Sequence, residues 1–151
     1  MPDRTTPNGA FNFHVSTGGP VGKDKPLGGF SGVSGLNTEF TVAKHRNGND
    51  KPNHIRRIHG IHKAGDVTLM RGLVNAKDLW EWISATRTTG CAAKRRAVIT
   101  LCDGTGASVQ KWVLDGVMPM QYTGPTLAAK GDEVAMEELV LSCESVEIEP
   151  P

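Results

Sequence analysis

Residues 97–114 read Ala97-Val98-Ile99-Thr100-Leu101-Cys102, then Asp103-Gly104-Thr105-Gly106-Ala107, then Ser108-Val109-Gln110-Lys111-Trp112-Val113-Leu114. Two β-branched, apolar runs flank five residues of turn chemistry, which predicts a β-hairpin. Downstream, Val117 to Tyr122 reads as a further strand before the Gly124-Pro125 break. Upstream the period changes. Ala76, Leu79 and Ile83 share one face at helical spacing with Trp80 and Trp82 on its flanks, and Lys77, Glu81 and Ser84 lie opposite. Asn75 is placed as N-cap with Asp78 three residues on, so the pattern predicts an amphipathic helix from Ala76 to Thr88 that stops before Gly90. Leu79, Trp80 and Trp82 are its expected core anchors.

The remaining segments are β-like or turn-like. Phe11, Phe13 and Val15 alternate with polar residues, as do Phe40 and Val42 within Asn37 to His45, and Val67 to Arg71 is another short strand. From Gly18 to Gly29 the chain is too rich in Gly, Pro and Lys for a regular element, and Arg46 to Asn53 is turn chemistry throughout. Leu139, Leu141 and Cys143 fall on one side of a long Val134 to Ile148 segment, read as one strand or two with a bend. The sum is a mainly β fold, a β-barrel or sandwich of about seven strands with one flanking helix. A single domain is expected over 1–151, with 1–10 as a flexible N-terminal arm.

A chain of 151 residues can bury one core without disulfides. Cys91, Cys102 and Cys143 are odd in number, widely spaced and free of any Cys-x-x-Cys pair, and read as reduced thiols. The polar start carries no signal-peptide pattern, and no apolar run approaches the ~18 residues that a spanning helix needs. Cytoplasmic assembly is the expectation. Net charge is +1, but its distribution is uneven: 15 Lys and Arg against 7 Asp and Glu through Arg96, then 2 against 9 from Ala97 on. Such asymmetry predicts complementary faces on one folded unit, through which stacked copies attract.

Catalytic chemistry finds no constellation. His54, His59 and His62 lack zincin spacing, have no Glu placed as base, and share their stretch with Arg56, Arg57 and Lys63, so it reads as a solvated basic loop. Neither Ser31 nor Ser34 completes a nucleophile elbow, and Gly29, Gly32 and Gly35 fit no nucleotide-binding fingerprint. Glu137 and Glu138 are adjacent on a strand and point to opposite faces. Lys94-Arg95-Arg96 lacks the interleaved aromatics of a single-strand binding platform. No catalytic, metal or cofactor residue is predicted, and no cofactor.

Gly29-Phe30-Ser31-Gly32-Val33-Ser34-Gly35-Leu36 resembles the tail tube family of contractile phage tails and phage-derived extracellular contractile injection systems. The likeness continues in order through Glu39, Gly60, Val67-Thr68-Leu69-Met70-Arg71-Gly72, Leu79-Trp80-x-Trp82, Trp112, Tyr122-Thr123-Gly124-Pro125 and Glu133-Val134-Ala135-x-Glu137-x-Leu139-x-Leu141. It departs at Gly32, a position often acidic in the family, and at His54 to Lys63, which is more basic and histidine-rich. The resemblance implies hexameric rings stacked into a hollow tube inside a contractile sheath, with strands of each subunit joined in a continuous barrel around the lumen. Implied partners are the chain itself, the sheath protein, baseplate, tube initiator and terminator proteins, and a cargo of protein or DNA. A baseplate-proximal initiator of the same machine, or a small-molecule-binding β-barrel, is the alternative. We expect Lys51, Arg56, Arg57, Glu39 and Glu137 at contacts between subunits, the first three on a loop from His45 to Arg57 that reaches the next ring. Phe30, Gly35, Leu36, Leu79, Trp80, Trp82, Tyr122, Leu139 and Leu141 are the expected fold residues.

Overall fold

A computed structural model describes residues 9–18, 25–72, 77–131 and 134–150. In chain order the elements are β1 (Phe13–Thr17), β2 (Lys25–Gly28), β3 (Gly32–Ser34), β4 (Thr38–His45), β5 (Arg56–Ala64), β6 (Val67–Gly72), α1 (Lys77–Thr89), a 3-10 turn (Gly90–Ala93), β7 (Arg95–Cys102), β8 (Ser108–Thr123), β9 (Met136–Ser142) and β10 (Ser145–Glu149). The expected hairpin is β7–β8. Asp103 shapes its turn, its Oδ1 accepting from the backbone N–H of Thr105 at 2.8 Å and of Ala107 at 3.0 Å.

The strands run β2-β1-β7-β8-β9-β6-β3, and β10 pairs with the first half of β8 on the side away from β7. β8 is therefore shared by two layers. Its first half joins β7, β1 and β2, and its second half joins β9, β6 and β3. A single buried cluster lies between them: Val15, Ala97, Ile99 and Leu114 come from the first layer, Val67, Leu69, Leu139 and Leu141 from the second, and Leu79, Trp82 and Ile83 from α1. Phe30 and Leu36 are partly buried and pack against it. The subunit is a β-sandwich with a flanking helix, as expected, and its sheet does not close on itself.

Several expectations need correction. The described residues hold ten strands where about seven were expected. Lys25–Gly28 lies in the Gly/Pro-rich stretch read as irregular, yet it pairs with β1, because backbone pairing to a neighbour outweighs poor strand propensity. His54 to Lys63, read as a loop, contributes β5. The runs 108–114 and 117–122 are one strand, since Gly116 adopts φ 62° and lets the chain bend without leaving the ladder. β9 and β10 are the expected strand with a bend; the helix matches within a residue. Asn75 and Ala76, with the side chain of Asp78, fall outside the described residues.

The two tryptophans of α1 differ. Trp82 is fully buried, donates its Nε1–H to the Ala93 carbonyl at 3.0 Å, and lies under the Arg95 guanidinium at 5.4 Å. Trp80, expected in the core, is 50% exposed, its ring edge-on to Tyr122 at 6.1 Å and under Arg87 at 5.2 Å. The apolar stripe is narrower than the pattern suggested: Leu79, Trp82 and Ile83 fill it, and position 80 turns past its rim.

Candidate assembly surface

β4 and β5 form a two-stranded sheet of their own. They extend the β3–β6 pair into a long arm whose root is narrow. Gly35 there has φ 85°, and a Cβ on it would overlap the Asp66 carbonyl; a Cβ on Gly65 would overlap the Asn37 side chain. Asn37 N–H donates to the Gly35 carbonyl at 2.8 Å, and Gly65 N–H to the Asn37 carbonyl at 3.2 Å. Only glycine permits both the left-handed turn and the close approach, which accounts for Gly35 in the expected fold residues.

The arm is exposed along its length. One face carries Phe40 and Val42 against His62 and His59, with the Phe40 and His62 rings 5.3 Å apart, and Lys44 against Arg57 nearer the tip. The other pairs Glu39 with Lys63 and Ala43 with Ile58. Phe40 is 58% exposed and Ile61 76%. An isolated two-stranded hairpin is marginal in water, and among the described residues nothing covers these apolar side chains. Beyond β4 the tip turns at Asn47–Asp50, where Asn47 N–H donates to Asp50 Oδ2 at 3.0 Å. Residues 38–64 hold six Lys and Arg against two carboxylates. Lys51 and Arg57 are exposed, and Arg56 reaches Asp50 at 3.8 Å with most of its side chain in solvent.

A second uncovered element is the far half of β8. Pairing with β7 ends at Val117, so among the described residues Met118–Thr123 is bonded to β9 alone and its other edge is open. Ile83, Thr86 and Arg87 of α1 face Pro119, Met120, Gln121 and Tyr122 across a groove of about 370 Å³ beside that edge.

Glu137, expected between subunits, is instead internal. It is 6% exposed, ion-paired with the equally buried Arg71, and accepts the Tyr122 hydroxyl hydrogen bond at 2.8 Å. The Arg71 guanidinium also lies 5.5 Å from the Phe30 ring. The sequence held a usable signal: Val67-x-Leu69-x-Arg71 and Glu137-x-Leu139-x-Leu141 each put one charge at the end of a core face, and β6–β9 pairing sets Arg71 opposite Glu137. The hydrogen bond to the Glu137 carboxylate raises the Tyr122 pKa above its ordinary value, with burial adding to it. Tyr122→Phe leaves one oxygen of a buried carboxylate short of a donor, and we expect a loss of about 1–3 kcal/mol in chemical denaturation. A neutral result would mean that solvent reaches Glu137.

The Lys94-Arg95-Arg96 run is used within the subunit. Lys94 pairs with Glu144, Arg95 covers Trp82, and Arg96 reaches Glu149 at 3.6 Å. Among the described residues, no group of three His, Cys, Asp or Glu side chains could hold a metal ion, and no helix is long and apolar enough to cross a membrane.

The family described as T4-like virus tail tube protein gp19 matches residues 9–147. No match is found among curated proteins. In fold, the chain is similar to a protein of the PVC sheath-tube complex of an extracellular contractile injection system, with TM-score 0.81 and 22% identity over 97% of this chain and 94% of that one. It is also similar to a protein of the anti-feeding prophage tube-terminating cap, with TM-score 0.82 and 24% identity over 98% and 94%. A protein of a native gene transfer agent virion aligns with TM-score 0.61 and 10% identity over 95% of this chain and 99% of that one.

Proposed function

Because the chain belongs to the T4-like virus tail tube protein family, a family of structural tube proteins, we propose that it forms hexameric rings that stack into the inner tube of a contractile injection machine and that this tube conducts a cargo. The observation that carries the reading is a family match over nearly the whole chain in a subunit that leaves an apolar, basic arm and a strand edge uncovered. Open edges are an aggregation hazard that joining subunits in a closed ring removes.

The sheath protein, the baseplate with its tube initiator, and the terminator are the proposed partners. The similar structures support this, being a sheath-tube complex, a tube-terminating cap and a baseplate resolved with 6-fold symmetry. The higher TM-scores to injection-system proteins than to the gene transfer agent favour an injection particle. The unit assembles in the cytoplasm and works as part of that particle.

Lys51, Arg56 and Arg57 at the arm's tip contact carboxylates of the next ring, and Glu39 lies at a subunit contact nearer the root. Carboxylates that make no ion pair among the described residues include Glu138 and Glu147. The purified protein is expected to form rings, and tubes at high concentration, without metal or nucleotide. Negative-stain microscopy and light scattering check this; a strictly monomeric species over a wide concentration range at low and moderate salt would refute it.

A further inference from the structure

We propose that the β4–β5 arm makes the assembly sensitive to acid, because protonation of His59 and His62 releases subunits without unfolding them. The inference rests on the tube reading, in which other copies of the chain cover the arm.

Four of the five histidines, His45, His54, His59 and His62, lie between residues 38 and 64. His59 and His62 are three apart, a spacing that puts two residues on opposite faces of a regular strand. The irregularity between Phe40 and Val42 sets two residues of β5 against Thr41 alone and returns both histidines to one face. There the Phe40 ring centroid lies 6.1 Å from that of His59 and 5.3 Å from that of His62. The Thr38 hydroxyl is hydrogen-bonded to Nε2 of His62 and holds that ring beside Phe40.

The charges around the pair oppose a further cation. Lys44 and Arg57 share the face with Thr38, Phe40, Val42 and Ala64, and among the described residues of the arm no carboxylate lies on it. On the other face Glu39 stands opposite Lys63, and His45 opposite Arg56, which reaches Asp50 at 3.8 Å. β10 approaches β5 and carries Glu147 and Glu149, the latter 3.6 Å from Arg96. The arm as a whole holds six Lys and Arg against two carboxylates before any histidine is charged.

In the free subunit β4 and β5 are exposed from Thr38 to His45 and from Arg56 to Lys63, so an imidazole there takes up its proton in water. In the assembly, the cover that Phe40 and Val42 need also takes His59 and His62 out of water. Burial disfavours the charged form, and Lys44 and Arg57 repel it through a medium that screens less. Acid therefore favours the free subunit. The contact is at full strength while the imidazoles are neutral and weakens as the pH falls through the range where histidine ordinarily gains its charge. The whole chain acts in the same direction: its net charge is +1 with its five histidines neutral and +6 with all five charged. Every copy in a ring adds to that repulsion.

To test this, assemblies of the full chain are taken from about pH 8 to about pH 5.5, a window above ordinary carboxylate titration, at constant ionic strength. Light scattering and negative-stain microscopy follow assembly, and circular dichroism follows folding. The concentration needed for assembly should rise at least tenfold, with an unchanged spectrum, and fall again when the pH is restored. His59→Gln combined with His62→Gln keeps two polar side chains that gain no charge, and should lose most of that rise. His14→Gln, exposed on β1 and outside the arm, should remain as acid-sensitive as the wild type. An unchanged threshold for the wild type in acid, or a double variant that dissociates as the wild type does, overturns the proposal. If the double variant does not assemble, the single variants decide. Each should flatten the slope of the logarithm of the threshold against pH, which counts the protons taken up per released subunit, and unchanged slopes overturn the proposal. A wild-type chain that assembles at no pH overturns the tube reading itself.

Discussion

Replacing residues 46–55 by a turn of about four residues is expected to leave a folded subunit that still closes into rings and to abolish tubes. The segment joins β4 to β5 and contributes no residue to the buried core cluster. Its removal therefore costs the isolated subunit little, and shortening a surface loop changes closure entropy by only fractions of a kcal/mol. It does remove Lys51, and it removes Asp50, which holds Arg56 in place. Each exposed ion pair across a ring junction is worth about 0.2–1 kcal/mol, but every subunit of a ring contributes one set, and the contacts engage together. Small terms summed around a ring decide whether rings stack. For the same reason, raising the salt should return wild-type tubes to rings before it affects folding. Electron microscopy alongside thermal melting checks both. Long tubes of normal appearance from the shortened chain would refute the stacking role of the tip, and loss of folding would show that the tip supports the subunit itself.

Trp82→Ala is expected to be the most damaging single change to the subunit, at about 3–5 kcal/mol. The ring is fully buried among residues of both layers, and its removal opens a cavity that β strands on either side cannot collapse to fill. The indole hydrogen bond to the Ala93 carbonyl is lost too, together with the stacking of Arg95. Native stabilities of about 5–15 kcal/mol leave little in reserve, and the melting temperature should fall on the order of 10 °C. Trp80→Ala, two residues away, should cost less than about 1 kcal/mol, since it deletes only a half-exposed edge contact and a surface cation–π pair. Equal effects from the two changes would show that the helix buries both rings.

The contrast between the two tryptophans marks where local pattern stops being informative. Leu79, Trp82, Leu139 and Leu141 were legible as core because strict periodicity, of 3.6 or of 2, places a residue on a face. Trp80 sits at the margin of the stripe, and the width of a buried stripe depends on what packs against it. Glu137 shows the same limit for charge. Its alternation with Leu139 and Leu141 puts it on the core face, but only the β6–β9 register brings Arg71 opposite and makes burial tolerable. Without that partner the carboxylate reads as a surface group.

The sequence alone determined the strand-rich class, the β7–β8 hairpin, the single helix and the family resemblance, because turn chemistry, side-chain period and ordered motifs are local properties of the chain. Tertiary structure decided the rest. His54 to Lys63 is polar enough to pass for a loop, yet from Arg56 on it forms β5 because β4 pairs with it across a glycine waist. The runs on either side of Asp115-Gly116 become one strand because β9 and β10 run alongside both of them. Which edges stay open follows from strand order, and strand order is set by contacts between residues far apart in the chain. Backbone pairing is nearly indifferent to side-chain identity, so the surfaces through which this subunit meets its neighbours are written in its topology more than in its residues.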